Sequence, residues 1–540
     1  MEGQRVQNSL PKRPSIRWKE YLPVEQRATM PDMRSRTSAR AQAGCMKVLI
    51  LGASGIVGSH MRLCSPANVQ AIYCQREADP LHIGFDLTSA VIRERLEAHQ
   101  PEVIINLAGE NNPDIVERDP AAVRAANVLA AQEVAKFCAT SKARHIYVSS
   151  QAVFGGDAPP YSAAAPLSPV NAYGRQKAEA ESLVRAACPL ATIVRPTFVL
   201  GIRPFAHVGR PNPLEQMLAG QPRQVADRWF SPLFARDAAA LLWRIILEDH
   251  SGETIHLGIP RRTSRYEIAQ LLGCEVEAAR HDDFPGIAPR PVNTMYAEGS
   301  WYSRGLHQGL GECRQEWESR RSLDISARAR EIALFLGIRE AAAYTRLQGG
   351  FLPLHADISA DFRRANPRTD DDLLRWYRQT ESYIWELSAF HCDQGYNYMG
   401  MCRGILAHLQ TFGARRVLCL GDGIGDLTLA LRRGRIEALY HDLAGSRTAA
   451  CAAFRYWMHT GQSLPVHLTD GWEPALSNGA DRYDAVVSLD FLEHVTDVPA
   501  WTRAIRDALV PNGLFCAWNA FACGSGPQGS IPMHLARNDR

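Results

Sequence analysis

Tyr173 and Lys177 stand four residues apart in Asn171–Glu181 (NAYGRQKAEAE), a stretch that opens a helix, so both fall on one helix face. An ammonium beside a phenol favours the phenolate and lowers its pKa from about 10. A tyrosine so placed can give or take a proton near neutral pH. Ser150 closes the apolar part of His145–Gly156 (HIYVSSQAVFGG), at the end of a predicted strand, where its hydroxyl can hydrogen-bond a carbonyl oxygen. Together the three suit proton transfer to a carbonyl oxygen while hydride reaches its carbon. A tyrosine and a lysine without a role on an amphipathic helix are the plainer alternative.

The elements around these residues favour chemistry. Val48–Gly58 (VLILGASGIVG) reads as strand, glycine turn and helix, with Gly52, Gly55 and Gly58 spaced by Ser54 and Ile56. A second such segment, Val417–Leu431 (VLCLGDGIGDLTLAL), carries Gly421, Asp422, Gly423 and Gly425. A glycine turn lets backbone approach a ligand and aims a helix N-terminus at it. The first segment reads as a dinucleotide site and the second as an S-adenosylmethionine site. The chain is therefore predicted to be α/β, with two Rossmann-like doubly wound parallel-sheet domains joined by a helical linker.

Later strands refine both sites. Val69–Arg76 ends in Gln75 and Arg76, without the acid that would bind the ribose hydroxyls of NAD. The arginine suits the 2′-phosphate of NADP(H); a solvated surface charge is the alternative. Pro101–Gly109 (PEVIINLAG) puts Asn106, Ala108 and Gly109 along the cofactor's other side. In the second half, Ile436–Ser446 ends a strand in Asp442, whose two carboxylate oxygens can accept both ribose hydroxyls. Asp470 follows a third strand and suits the adenine amino group. Glu493 and His494 sit at the mouth of a fourth strand, Tyr483–Val495, as candidates beside a methyl acceptor; capping or packing is the alternative reading.

The first set resembles the extended short-chain dehydrogenase/reductase family, and within it the dTDP-4-dehydrorhamnose reductases, over about residues 46–310. Ser231–Leu247 (SPLFARDAAALLWRIIL) and Arg290–Tyr296 (RPVNTMY) share in the resemblance. It implies Ser150, Tyr173 and Lys177 as the catalytic set, Asp86 with Leu87 on the adenine side, and a nucleotide-sugar substrate. The chain departs at Ser150-Gln151-Ala152-Val153-Phe154, where those reductases commonly carry Thr-Asp-Tyr-Val-Phe. Epimerases, dehydratases and a non-catalytic regulatory subunit share this fold. The second set resembles class I S-adenosylmethionine-dependent methyltransferases over about 125 residues. It departs at Cys419, where an acid is common, and Asp422 could compensate. Helices within Ala365–His391 resemble a lid preceding such a sheet, with Leu374, Tyr377, Tyr383, Ile384 and Leu387 read as core packing rather than a substrate box and His391 and Cys392 as packing residues.

Composition sets the bounds. The 540 residues exceed one core, and 46% hydrophobic with 22% charged residues is ordinary for a globular protein. A net charge of +3 argues against a nucleic-acid partner, and no apolar run approaches a membrane span. The 13 cysteines lack paired spacing and read as reduced thiols in a cytoplasmic protein without a metal site. The expected organisation is a disordered basic tail over 1–45, a reductase-like domain over 46–318, a helical linker over 319–364 and a methyltransferase domain over 365–540. The last 18 residues, Cys523–Arg540, are too few for the helix and strand pair that usually follow a fifth strand, so truncation and an open sheet edge are expected. An open edge invites association, and a homodimer is one form of it. The favoured function is a bifunctional tailoring enzyme, NADPH-dependent keto reduction on a nucleotide-sugar plus methyl transfer. The alternatives are an epimerase or dehydratase fused to a methyltransferase, or a non-catalytic module regulating one.

Overall fold

The computed structural model describes residues 45–518, apart from 205–211, 285, 287, 298–303, 323, 394–396, 475 and 477–481. The expected basic tail therefore lies, Cys45 aside, outside the described residues, as does the segment after Trp518 on which the expected truncation turns. Residues 32–345 and 346–540 fall into two compact units. No helix of the described residues is long and apolar enough to cross a membrane.

The first unit is built on β1 (Met46–Leu51), β2 (Val69–Gln75), β3 (Ile83–Gly84), β4 (Val103–Asn106), β5 (Arg144–Val148), β6 (Thr192–Pro196) and, after three short strands, β10 (Thr254–Leu257). Their order across the sheet is β10-β6-β5-β4-β1-β2-β3, and every pair is parallel. A parallel sheet needs crossovers that cover both faces, so its strands read as apolar runs rather than alternating ones. Val48 and Ile50 of β1 pack with Met61 and Trp243 on one face, while Leu49 and Leu51 pack with Val134, Phe137 and Val184 on the other. The unit is thus a Rossmann-like α/β domain.

The short strands β7 (Phe198–Leu200), β8 (Arg223–Val225), β9 (Pro232–Phe234) and β11 (Glu277–Ala279) pair separately, β7 with β9 and β8 with β11. The sequence reads Thr192–Gly201 as one strand; the structure divides it at Thr197. β6 stays in the main sheet, and the residues beyond leave it to pair with β9. The charged stretch after residue 305 forms the helices Leu306–Ser322 and Ile325–Leu336. Both belong to this first unit, and the second carries eight buried residues on a 12-residue helix.

The second unit carries β12 (Arg416–Leu420), β13 (Glu437–Leu443), β14 (Val466–Thr469), β15 (Tyr483–Leu489) and β16 (Leu509–Trp518) in the order β14-β13-β12-β15-β16, again all parallel. Val417 and Cys419 face Cys402, Leu409 and Leu431, and Leu418 and Leu420 face Trp501 and Ile505, so helices cover both faces. Cys419 packs in this core at 0% exposure. Strand order reverses between β1 and β4 in one sheet and between β12 and β15 in the other. Crevices at the carboxyl ends of strands open at such reversals.

Candidate functional site

In the first unit the loop after β1 is shaped by contacts that only glycine permits. Gly52 has φ +77, and a Cβ on it would lie 2.6 Å from the backbone of Ala108. A Cβ on Gly58 would lie 2.6 Å from the backbone of Ala53, so this glycine lets the helix Ile56–Leu63 settle on its strand. Gly55, at the helix N-cap, is exposed, with nothing closer to its Cβ position than 3.6 Å. The helix therefore presents free backbone to whatever lies across Gly55, the arrangement that holds a phosphate. Ser54 and Ile56 flank it, both half-buried.

Around this loop, Asn106 is buried and accepts from the Ala108 amide at 3.0 Å, which fixes the turn after β4. Gly109 has φ +137 and leaves room for Asn127. Ala108 and Leu87 pack at the margin of the core beneath. The Asp86 carboxylate takes the Thr88 amide and hydroxyl at 2.9 and 2.7 Å, and those bonds hold it below the usual carboxylate range. Arg76 is exposed just past β2. Gln75, which ends β2, donates to Asp79 at 2.6 Å.

Tyr173 and Lys177 lie on the helix Ala172–Ala187, capped by Asn171, which accepts from the Gly174 amide at 2.8 Å. Lys177 is only 5% exposed, donates to the Val148 carbonyl at 3.0 Å at the end of β5, and lies 5.0 Å over the Tyr147 ring. Burial brings its pKa down to about 8, with Glu181 one turn on opposing the shift. Glu181 is itself held by Arg195 through bonds of 2.9 and 2.7 Å, a buried pair that fixes the helix against β6. Ser150 follows β5 and accepts from the Ala152 amide at 3.2 Å. Tyr173 packs beside Ala152 and Val116. The end of β5 and one helix thus bring Ser150, Tyr173 and Lys177 to one edge of the sheet.

Two residues set this geometry: Gly174, which the sequence reading passed over, and Gln151, whose bond to Thr294 it did not foresee. Gly174 lies between Tyr173 and Lys177, and any Cβ there would overlap the Ala152 carbonyl. Gln151, where the related reductases carry aspartate, accepts from the Thr294 hydroxyl at 2.9 Å and so ties the Ser150 turn to Arg290–Tyr296. A glycine inside a helix start was the available signal for the first. The second joins residues far apart in sequence and left none.

The second unit holds a cavity of ≈ 270 Å³ at the carboxyl ends of β12, β13 and β15. Gly421, Asp422, Gly423 and Asp442 line it, and Gly421, Gly423 and Gly425 all have positive φ, from +50 to +81. Asp442 accepts from the Tyr440 hydroxyl at 2.8 Å, and burial raises its carboxyl to about 6. Asp422 accepts the amides of Leu427 and Thr428 at 3.1 and 2.7 Å. Its carboxylate therefore caps its own helix, Asp426–Arg433, and burial raises it to about 7. Asp470 is exposed and absent from the lining; Arg378 engages its carbonyl, not its carboxylate.

The roof both packs and lines: Tyr377 and Tyr383 pack against Ile358, Leu373 and Trp376 and also face the cavity. Leu374, Tyr377, Tyr383 and Leu387 line the cavity; of the five, only Ile384 is purely core. Glu493 and His494 line it too, His494 joined to the Tyr377 hydroxyl at 3.1 Å. His391 also lines it, stacks on Tyr398 at 3.6 Å and bonds Asp426 at 2.6 Å; Asp426 in turn holds Arg455 at 2.6 Å. Periodicity marks a face as buried without saying whether protein or ligand covers it. Asp490, also in the lining, adopts φ +50, a rare strain for a residue other than glycine, and one that concentrates at functional sites.

The pattern of the family described as RmlD substrate binding domain matches residues 46–309. A dTDP-4-dehydrorhamnose reductase of Mycobacterium tuberculosis (strain CDC 1551 / Oshkosh) is 30% identical over 278 residues, covering 48% of this chain and 88% of the relative. The methionine adenosyltransferase 2 subunit beta of Xenopus tropicalis is 31% identical over 274 residues, covering 46% and 79%. Among solved structures, a dTDP-4-dehydrorhamnose reductase of Yersinia enterocolitica is 26% identical, with a TM-score of 0.44 over 50% of this chain and 99% of that one.

Proposed function

The chain belongs, through residues 46–309, to the family of the RmlD substrate binding domain, and from that membership we propose that its first unit is an NADPH-dependent reductase of a keto group on a dTDP-sugar. One observation carries the proposal. The end of β5 and the helix Ala172–Ala187 gather Ser150, Tyr173 and buried Lys177 at the edge where Gly52, Gly55 and Gly58 open a phosphate cradle. Glycines that forbid a Cβ on one side and leave Gly55 open on the other fit a dinucleotide, which when bound supplies hydride. Arg76 would hold its 2′-phosphate and Asp86 with Leu87 its adenine side, while Asn106, Ala108 and Gly109 would line its other side.

Tyr173 would then protonate the oxygen as its carbon takes up hydride. Ser150 would hold that oxygen, and the charged Lys177 would favour phenolate and restore the tyrosine proton. The test is consumption of NADPH with dTDP-4-dehydrorhamnose as substrate. Conversion of a dTDP-sugar without net NADPH use would point instead to an epimerase or dehydratase. A module that only binds is the other rival, since one relative is named as a subunit. Absence of turnover with every keto-sugar, together with tight NADPH binding, would favour it.

For the second unit we infer S-adenosylmethionine binding and methyl transfer. What supports the reading is a strand order whose reversal lies under the turn of Gly421, Gly423 and Gly425, with Gly421, Gly423 and, at the next strand end, Asp442 lining one cavity. Asp442 would accept the ribose hydroxyls, and Asp470, nearby but exposed, the adenine amino group. Calorimetric titration of the full chain with S-adenosylmethionine tests it; no heat at millimolar ligand would reject it.

A further inference from the structure

The cavity of the second unit is chemically lopsided. Among the described residues, five carboxylates line it and no lysine or arginine does. The arginines of the surrounding helices are engaged elsewhere: Arg455 with Asp426, Arg447 with Glu381, and Arg378 with the carbonyls of Ala444 and Asp470. The five carboxylates divide by position. Asp422 and Asp442 belong to the sheet side, where helix amides and Tyr440 take them up. Glu386, Asp490 and Glu493 come from the roof helix Ser382–Cys392 and the turn after β15.

Aromatic faces accompany this second group. Tyr377 and Tyr383 stack with centroids 5.9 Å apart, Trp472 meets Tyr377 edge-on at 6.1 Å, and His494 lies 6.1 Å from both tyrosines. A further observation points to an occupant. His441 is 1% exposed and lines the cavity, yet neither ring nitrogen has a hydrogen-bond partner among the described residues. The same is true of the Trp472 indole nitrogen. Buried polar atoms are nearly always paired, so these await a ligand. Burial keeps His441 neutral, with its pKa down to about 3, so it supplies no positive charge.

Glu386 already meets one basic group of the lining, His355, which bonds it at 3.1 Å and whose pKa it raises. A phosphate brought here would still meet five carboxylates against that histidine, whereas an ammonium would meet both carboxylates and π faces, each of which attracts it. We propose that the ligand of this cavity, besides the sulfonium donor, is a small organic amine. Its ammonium lies toward Asp490, Glu493 and Glu386, its carbon body lies against Tyr377, Tyr383 and Trp472, and phosphorylated sugars are excluded. This deepens the methyl-transfer reading and rests on it: the amine is the methyl acceptor. The ammonium gives one proton to the Asp490–Glu493 pair. Its freed lone pair forms the N–C bond as the C–S bond of the donor breaks, leaving its electrons on sulfur. The nucleotide-sugar reduced in the first unit is then not methylated in the second while it still carries its diphosphate.

The experiment is calorimetric titration of the full chain with phenethylamine, 2-phenylethanol and phenyl phosphate as probes. Each is titrated alone and with S-adenosylhomocysteine present, and S-adenosylmethionine is titrated separately. Phenethylamine should bind at least roughly tenfold more tightly than 2-phenylethanol, and phenyl phosphate should not bind. Glu386→Gln and Asp490→Asn should each weaken the amine by roughly tenfold, with circular dichroism and thermal unfolding reporting that the variant is folded. Equal affinity for amine and alcohol, or tighter phosphate, overturns the inference. So does amine selectivity that survives both substitutions in folded protein. Selective, substitution-sensitive amine binding without S-adenosylmethionine binding keeps the ligand class and removes methyl transfer. S-adenosylmethionine binding without amine selectivity does the reverse.

Discussion

The carbonyl of Ala152 occupies the space where a side chain on Gly174 would begin. The first turn of the helix Ala172–Ala187 can therefore lie directly against the turn that follows Ser150. That approach sets Tyr173 beside Ala152, two residues from the serine that would share its substrate oxygen.

Gly174→Ala tests the approach. The added methyl cannot fit without moving the helix or the turn, so a stability loss of about 1–3 kcal/mol is expected. NADPH-dependent turnover should fall with little change in NADPH affinity, because the glycine loop lies on other elements. Denaturant unfolding and steady-state kinetics read the two effects; unchanged kcat would mean that the catalytic spacing tolerates the shift.

Tyr173→Phe removes the proton donor while keeping the ring. Reduction should drop by roughly 10²–10⁴-fold. S-adenosylmethionine binding should stay as in the parent chain, since each unit has its own cores. A calorimetric titration that shows binding lost with the hydroxyl would mean the units do not behave independently.

Lys177 gives the reductase a pH dependence. Its ordinary pKa of 10.5 is brought down to about 8 by burial. Below that value it carries the charge that favours phenolate at Tyr173; above it the charge is lost. kcat/KM should therefore decline as pH rises past about 8, and Lys177→Met should be nearly inactive at every pH. A flat profile up to pH 10 would show that the lysine charge is not used.

Arg76 has the 2′-phosphate assigned to it by its place after β2. Arg76→Ala should raise KM for NADPH by roughly 10–100-fold, the scale of a lost charge-assisted bond, and leave KM for NADH almost unchanged. Equal effects on the two cofactors would reject the assignment.

Asp442 titrates in reach of experiment. Its carboxyl is raised from 3.8 to about 6, with burial as the leading cause. Ribose hydroxyls need the carboxylate, so S-adenosylmethionine affinity should weaken as pH falls below about 6, by about tenfold per unit. Asp442→Ala should cost roughly 1.5–3 kcal/mol at pH 7.5 and flatten that dependence. Parent-like affinity in the variant would mean the ribose lies elsewhere.

The local signals were legible and the long-range ones were not. The glycine loops, the Tyr173–Lys177 pair and the strands around them could be read because each depends on neighbours in sequence. Apolar runs marked β1, β4, β12 and β15 because a parallel sheet buries both faces. The lining role of Tyr377 and Tyr383 was hidden, since an aromatic stripe has one spacing whether protein or ligand lies against it. Asp470 follows a strand end, as read, but its exposure and the bond from Arg378 to its carbonyl depend on the fold. The acidic character of the cavity was invisible for a similar reason. Glu386 and Asp490 are a hundred residues apart, and only the fold puts them around one space.

The bond from Thr294 to Gln151 has a practical consequence for anyone recombining this chain with its relatives. Residues 290–296 and residue 151 meet only through the fold, so a crossover between them would part a donor from its acceptor. A chimaera that imports the aspartate found at position 151 in the reductases should import their counterpart of residue 294 as well. The two positions are then best varied together, because a change at either one alters the partner of the other.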